Sequence, residues 1–265
     1  MTSPLPEQAL ATPESLRSWV AGIEAGSSDG SAREPFTRLP DAATKLVVRV
    51  EGDGTSDALV VGPRTRASYH ASERVVSCVQ VRLGPGTARP LLGVPALELV
   101  GRIVRLGTLP DASARQLARE LKGLEPAEVV GHLAEVLPER LPARTDQGRR
   151  EVLRAAVEAL STTAGRTPAP IHDLARRLAV SERQLRNLFA EGVGVSPKHF
   201  ARIDRVRHVL AHAAEGSWAG LAASTGYYDQ SHMTADFRTL MGVPPTSYFN
   251  GRLPDAGPCQ ALTRI

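Results

Sequence analysis

The stretch IHDLARRLAVSERQLRNLFAEGVGVSP, residues 171–197, holds two helical patterns separated by a break. Ile171, Leu174, Ala175 and Leu178 follow the three- and four-residue spacing that puts side chains on one face of a helix. Ala179-Val180 interrupts that face. Ser181 then starts a new helix, because its hydroxyl can accept an orphan backbone N–H. In this second helix Leu185, Leu188 and Phe189 fall inward, and Arg183, Arg186 and Asn187 share the opposite face. Gly192 and Gly194 suit a stop. A short helix, a tight turn and a second helix with an outward Arg/Asn face match the helix-turn-helix that enters the DNA major groove. Arg can donate two hydrogen bonds to guanine, and Asn can pair bidentately with adenine. The same residues would also serve as a solvated face on any small helical bundle.

The stretch WAGLAASTGYYDQSHMTADFRTLMGVPPTSYF, residues 218–249, repeats the plan. Leu221 and Ala222 are apolar on a first helix, and Thr225-Gly226-Tyr227 makes the turn. Asp229 is placed to cap a second helix whose Met233, Phe237, Leu240 and Met241 face inward. Ser231, Ala235 and Arg238 lie opposite, with His232 and Thr239 beside them. Pro244-Pro245 ends it, and a short helical turn follows. Between the units, SPKHFARIDRVRHVLAHAAEG reads as one helix, with Ser196 as cap and Pro197 in its first position. About 19 residues at ~1.5 Å each give ~28 Å, comparable to the ~34 Å between successive major grooves on one face of DNA.

Within the second unit, Asp229, His232 and Asp236 fall along one helix flank. Two carboxylates and an imidazole at that spacing could ligate a metal or act as an acid–base pair. The inward set argues otherwise: it makes Asp229 a cap, puts His232 beside the groove-facing side, and leaves Asp236 on the flank, where it would repel phosphates. His208 and His212 also stand four apart, but no third ligand is placed to complete a zinc site. The glycine-rich LGPGTARPLLG lacks the Lys-Ser/Thr ending of a phosphate loop. No cofactor, no metal site and no enzymatic activity are expected.

These residues carry a resemblance. Residues 171–249 are similar, in the order and spacing of LARRLAVSERQLRNLF, SPKHF and LAASTGYYDQSHMTADFRTLMGVPPTSY, to the DNA-binding domain of the AraC/XylS family of transcriptional regulators. The resemblance implies that Arg183, Arg186 and Asn187 face bases from the first unit. It places Gln230, Ser231, His232 and Ala235 at the corresponding positions of the second. Arg238, Lys198 and Arg202 are counted with the DNA-facing set. Where the family often carries a base, this chain has Ala235-Asp236. Residues 176–207 hold eight Lys/Arg against three acids, whereas 208–250 hold one Arg against three acids. Phosphate attraction dominates affinity, so the first unit should be the main anchor.

The other half has a different texture. TPESLRSWVAGIEA predicts a helix capped at Thr12, with Leu16, Trp19, Val20 and Ile23 inward; GSSDGSAREP follows as a flexible connector. From 36 to 108, the runs TKLVVRVE, DALVV and RVVSCVQVRL alternate with turn residues and predict an antiparallel barrel or sandwich. Two helices, ASARQLARELKGL and PAEVVGHLAEVL, come next. LPERLPARTDQGRR, residues 137–150, reads as a linker. Residues 36–108 are similar to a cupin-like sensory barrel, which implies effector binding or dimerisation. The alternative is a filled barrel used only for association. His70 is the one histidine in the segment, which disfavours a cupin metal enzyme.

The sequence therefore predicts an α+β chain of two domains. Residues 1–35 form a helix and connector, 36–136 a small cupin-like sensory and dimerisation barrel, 137–150 a linker, 151–250 an all-α double helix-turn-helix domain, and 251–265 a tail. The expected function is a sequence-specific DNA-binding transcriptional regulator controlled by a small-molecule effector bound in the N-terminal domain, its contact residues unknown. The alternative is a DNA-bound adaptor whose first domain only dimerises or, with the Trp19 helix, binds a partner protein. Promoter DNA is the expected partner, with RNA polymerase a further candidate and a homodimer or monomer the expected state.

Charge fits a polyanionic partner. Residues 1–148 carry 17 Lys+Arg and 18 Asp+Glu, and residues 149–265 carry 15 and 10, so the excess lies in the second half. Cys78 and Cys259 are too few for a disulfide framework, and Cys78 reads as a buried small hydrophobe. No apolar run approaches the ~18 residues of a membrane span. The first ten residues lack the basic start and apolar stretch of a secretory signal. A cytoplasmic protein is expected.

Overall fold

The computed structural model describes residues 7–27, 35–51, 54–71, 75–141, 146–162, 170–213 and 217–257. Most of the expected connector after residue 27, residues 142–145 of the expected linker, and Cys259 lie outside the described residues.

Among the described residues eight strands come first: β1 (Glu7–Leu10), β2 (Val20–Ser27), β3 (Phe36–Arg38), β4 (Lys45–Glu51), β5 (Ser56–Val61), β6 (Ser68–His70), β7 (Val75–Leu83) and β8 (Ile103–Arg105). Short helices α1 (Ala88–Leu92) and α2 (Ala96–Leu99) interrupt them, and α3 (Ala112–Leu121) and α4 (Pro126–Arg140) follow. The C-terminal half is helical: α5 (Gln147–Leu160), α6 (Ile171–Arg177), α7 (Glu182–Gly192), α8 (Pro197–His212), α9 (Trp218–Ser224), α10 (Gln230–Met241) and α11 (Pro245–Phe249).

The α+β architecture is as expected, but the barrel is corrected. The main sheet is open, antiparallel and six-stranded, in the order β1-β2-β7-β4-β5-β8, while β3 and β6 pair separately. No sheet among the described residues closes. The reason lies in what covers the inner face. Leu46 pairs with Val81 and Val48 with Val79, and all four are buried. Val129, Leu133 and Leu137 of α4, each fully buried, join the same core. A helix thus supplies the apolar cover that a closing sheet would otherwise provide. Cys78 is buried as expected, on the opposite face beside Val47.

The helix expected over residues 12–25 is also corrected. Glu14–Leu16 form a single 3-10 turn, and Val20 begins β2. Val20 and Ile23 are three apart yet both buried, because a register shift between Val20 and Gly22 turns the strand. The bulge imitated helical spacing in the sequence. Trp19, only 4% exposed, is covered by the Arg150 guanidinium of α5 at 3.9 Å from its ring centre. It is therefore not available as an adaptor's docking element.

The two halves are packed together. Gly86 N–H donates to Gly192 O at 3.0 Å, joining the turn after β7 to the end of α7. A Cβ on Gly192 would meet Leu153 Cδ2 at 2.3 Å and Gly86 Cα at 3.1 Å. Gly194 has φ +90°, and a Cβ there would meet Ala96 O at 2.8 Å. These glycines thus serve close approach to the first domain as well as the helix stop. Within the expected linker, α4 runs on to Arg140, and α5 begins at Gln147.

Asp41 is the polar centre of this junction. Its carboxylate accepts two hydrogen bonds from Arg82, at 2.8 and 2.7 Å, with Lys45 at 3.3 Å and Arg207 of α8 at 3.8 Å. Arg207 also donates to Pro40 O at 3.1 Å. Burial alone would raise the Asp41 pKa, but Arg82, Arg207 and Lys45 outweigh it and hold the carboxyl well below the usual range.

Candidate nucleic-acid interface

Both expected units are present and built alike. In the first, Val180 N–H donates to Ala175 O at 3.0 Å, closing the turn around Ala179, whose φ is +53°. In the second, Tyr227 N–H donates to Ala222 O at 3.0 Å around Gly226, with φ +73°. Left-handed backbone is what lets each first helix stop and the chain turn sharply.

Each second helix begins at a side-chain cap. The Ser181 hydroxyl accepts from Gln184 N–H at 3.1 Å, and the Gln184 side chain accepts from Ser181 N–H at 2.8 Å, completing a capping box. Asp229 accepts from His232 N–H at 2.7 Å. The carboxylate singled out as a candidate ligand is thus occupied in starting α10. Among the described residues no group of three or more His, Cys, Asp or Glu is placed to hold a metal ion. His208 and His212 stack at 4.0 Å between ring centres, and His212 Nδ1 lies 2.9 Å from His208 O.

The caps aim two helices with opposed faces. On α7, Leu185 and Phe189 are buried, while Arg183, Arg186 and Asn187 are exposed. Arg186 is held loosely by Glu182 at 3.1 Å, an exposed pair. On α10, Met233, Phe237, Leu240 and Met241 are buried, and Gln230, Ser231, His232, Ala235 and Arg238 are exposed. Lys198 is exposed on the first turn of α8. That connector runs 16 described residues, about 24 Å, somewhat shorter than the sequence suggested.

Two residues stand elsewhere than expected. Asp236 is not a flank carboxylate: it is 6% exposed and faces α8. Arg202 Nε donates to it at 2.9 Å, and Arg205 approaches at 3.4 Å. The acid expected to repel phosphate is paired with two cations, and Arg202 is engaged with it rather than free on the surface. The signal was available: residues 233, 236, 237, 240 and 241 trace one helical stripe, so Asp236 lies on the buried face by spacing alone. The Asp41 cluster had no such signal, since Arg82 and Arg207 lie far from it in the chain.

Residues 174–251 match the family model described as "Helix-turn-helix domain". The C-terminal segment is an AraC-type helix-turn-helix domain. A domain of this type supports a DNA-binding role for residues 174–251. Residues 8–105 match a second model, described as a domain of unknown function. No curated protein matches the chain significantly. Among solved structures, the C-terminal domain of AraT, a response regulator from Geobacillus stearothermophilus, aligns at 22% identity, covering 39% of this chain and 88% of that chain, with a TM-score of 0.36. A probable AraC family transcriptional regulator from Rhodopseudomonas palustris aligns at 24% identity over 39% of this chain and 99% of that one, at 0.33. ToxT from Vibrio cholerae aligns at 11% identity over 86% and 97%, at 0.41. No described helix is long and apolar enough to cross a membrane.

Proposed function

We propose that this chain is a sequence-specific transcriptional regulator that reads promoter DNA with α7 and α10 and responds to a small molecule at the junction of its two halves. The observation that carries the reading is the pair of capped helices. Each buries an apolar stripe and exposes a hydrogen-bonding face, and one connector of about 24 Å joins them. Arg183, Arg186 and Asn187 are the proposed base readers of the first unit, and Gln230, Ser231 and His232 those of the second. Arg238 and Lys198 are the proposed accompanying contacts.

Effector control is supported by a cavity of about 220 Å³ between the halves. Thr44, Leu83 and Ala88 line it from one side, and Val157, Val193 and Phe200 from the other. A ligand there would touch both domains, so its binding energy would depend on how they dock; such differential contact is what allows a ligand to shift an equilibrium.

Mapping the genomic sites occupied by the chain tests the reading. Discrete sites at promoters, lost in Arg186→Ala at a cost of about 1–3 kcal/mol if Arg186 reads a base, are expected. Occupancy without sequence preference would contradict it.

A further inference from the structure

The second unit is poor in charge, with Arg238 the single Lys/Arg between residues 208 and 250. Beside the exposed face of α10 lies an open groove of about 1120 Å³. One wall is α10 itself, through Gln230, Ser231, Ala235 and Arg238; the other is Arg66, Ala67 and Tyr69 of the N-terminal domain.

That second wall is fixed in place. Ala67 N–H donates to Leu240 O at 2.7 Å, and the Tyr69 hydroxyl donates to Met241 O at 2.6 Å, both at the C-terminal end of α10. Arg64 and Asp41 exchange backbone hydrogen bonds at 2.7 and 2.8 Å. Between these anchors Arg66 is exposed, and among the described residues no carboxylate pairs with it.

A helix lying in the major groove, about 12 Å wide, is flanked by phosphates. A fixed cation beside the exposed face of such a helix stands where the backbone runs. We propose that Arg66 contacts a DNA phosphate, so that the N-terminal domain completes the second half of the DNA interface. The proposal rests on the DNA-binding reading above. It also gives domain docking a direct effect on affinity, since a shift of the 63–69 segment would withdraw the contact.

The test is fluorescence anisotropy of the full chain on a mixed-sequence 30-bp duplex, titrated from low salt to about 0.2 M. Arg66→Ala is compared with Arg119→Ala, an equal charge change at an exposed site on α3, and with Arg186→Glu. The expected result is about three- to tenfold weaker binding for Arg66→Ala near 0.1 M salt, with the log–log salt slope reduced by about 1. Arg119→Ala should match the wild type. Equal behaviour of Arg66→Ala and Arg119→Ala overturns the proposal. Tighter binding by Arg66→Ala also overturns it, because the segment would then be shielding α10. If Arg186→Glu weakens binding in either case, the DNA-binding reading stands and only the Arg66 contact falls. A wild-type chain that does not bind the duplex at low salt overturns both.

Discussion

Arg202 Nε donates to Asp236 Oδ1 at 2.9 Å, across the contact between the connector helix and the second reading helix. Arg205 reaches the other oxygen at 3.4 Å, so one buried carboxylate holds two cations from α8. The triad sets how α10 is presented relative to α8. Asp236→Ala should therefore destabilise the domain by about 2–3 kcal/mol, below the full cost of breaking a buried pair because both arginines keep some contact with water. Denaturant unfolding measures this. Tighter DNA binding without loss of stability, the outcome for a flank acid facing phosphate, would contradict the assignment.

Asp229 gives a smaller and separate effect. As the cap of α10 it accepts one backbone N–H, and Asp229→Ala should cost about 0.5–2 kcal/mol. Asp229→Asn should keep most of that stability, because the amide oxygen can still accept. Chemical denaturation of the two variants compares them.

Gly192 makes a domain-docking prediction. Its missing Cβ leaves room for Leu153 and the Gly86 backbone. Gly192→Ala forces those atoms apart and should destabilise by about 1–3 kcal/mol. Gly131, with open space around its Cβ position, serves as the control: Gly131→Ala in the middle of α4 should stabilise by about 0.5–1 kcal/mol. Thermal unfolding reads both.

Acid should loosen the junction through Asp41. Its folded pKa lies below the unfolded value of 3.8, so its stabilising contribution is complete above that value and is lost as pH falls through and below it. The wild-type melting temperature should drop more steeply below about pH 4 than that of Asp41→Asn. Asp41→Asn should in turn be the less stable protein near neutral pH. Parallel curves would show that Asp41 is not held ionised by Arg82, Arg207 and Lys45.

The readable parts of the sequence were those whose signals are local. The caps Ser181, Ser196 and Asp229, the turns at Ala179 and Gly226, and the stripe Met233–Phe237–Leu240 each occupy one or two helical turns, and each is found where spacing puts it. The misreadings came from long-range pairing. Residues 20–23 look helical until β7 is there to pair with β2 across a bulge. An open sheet covered by α4 and a closed barrel share the same strand alternation, and only tertiary contact separates them. Asp41 gathers Arg82 and Arg207 from 41 and 166 residues away, which no motif in one chain reveals. Residues 66–69 carry no signature of their own; their place beside α10 comes entirely from packing.

The central claim is that α7 and α10 read two stretches of one duplex from a single chain. Selection of bound duplexes from a random-sequence pool, using the purified full chain, tests it most directly. An enriched motif with two elements about one helical turn apart is expected. Repeating the selection with Arg186→Ala should erase the element read by α7 and keep the one read by α10. A pool that stays random, or one that yields the same motif with both proteins, would contradict it.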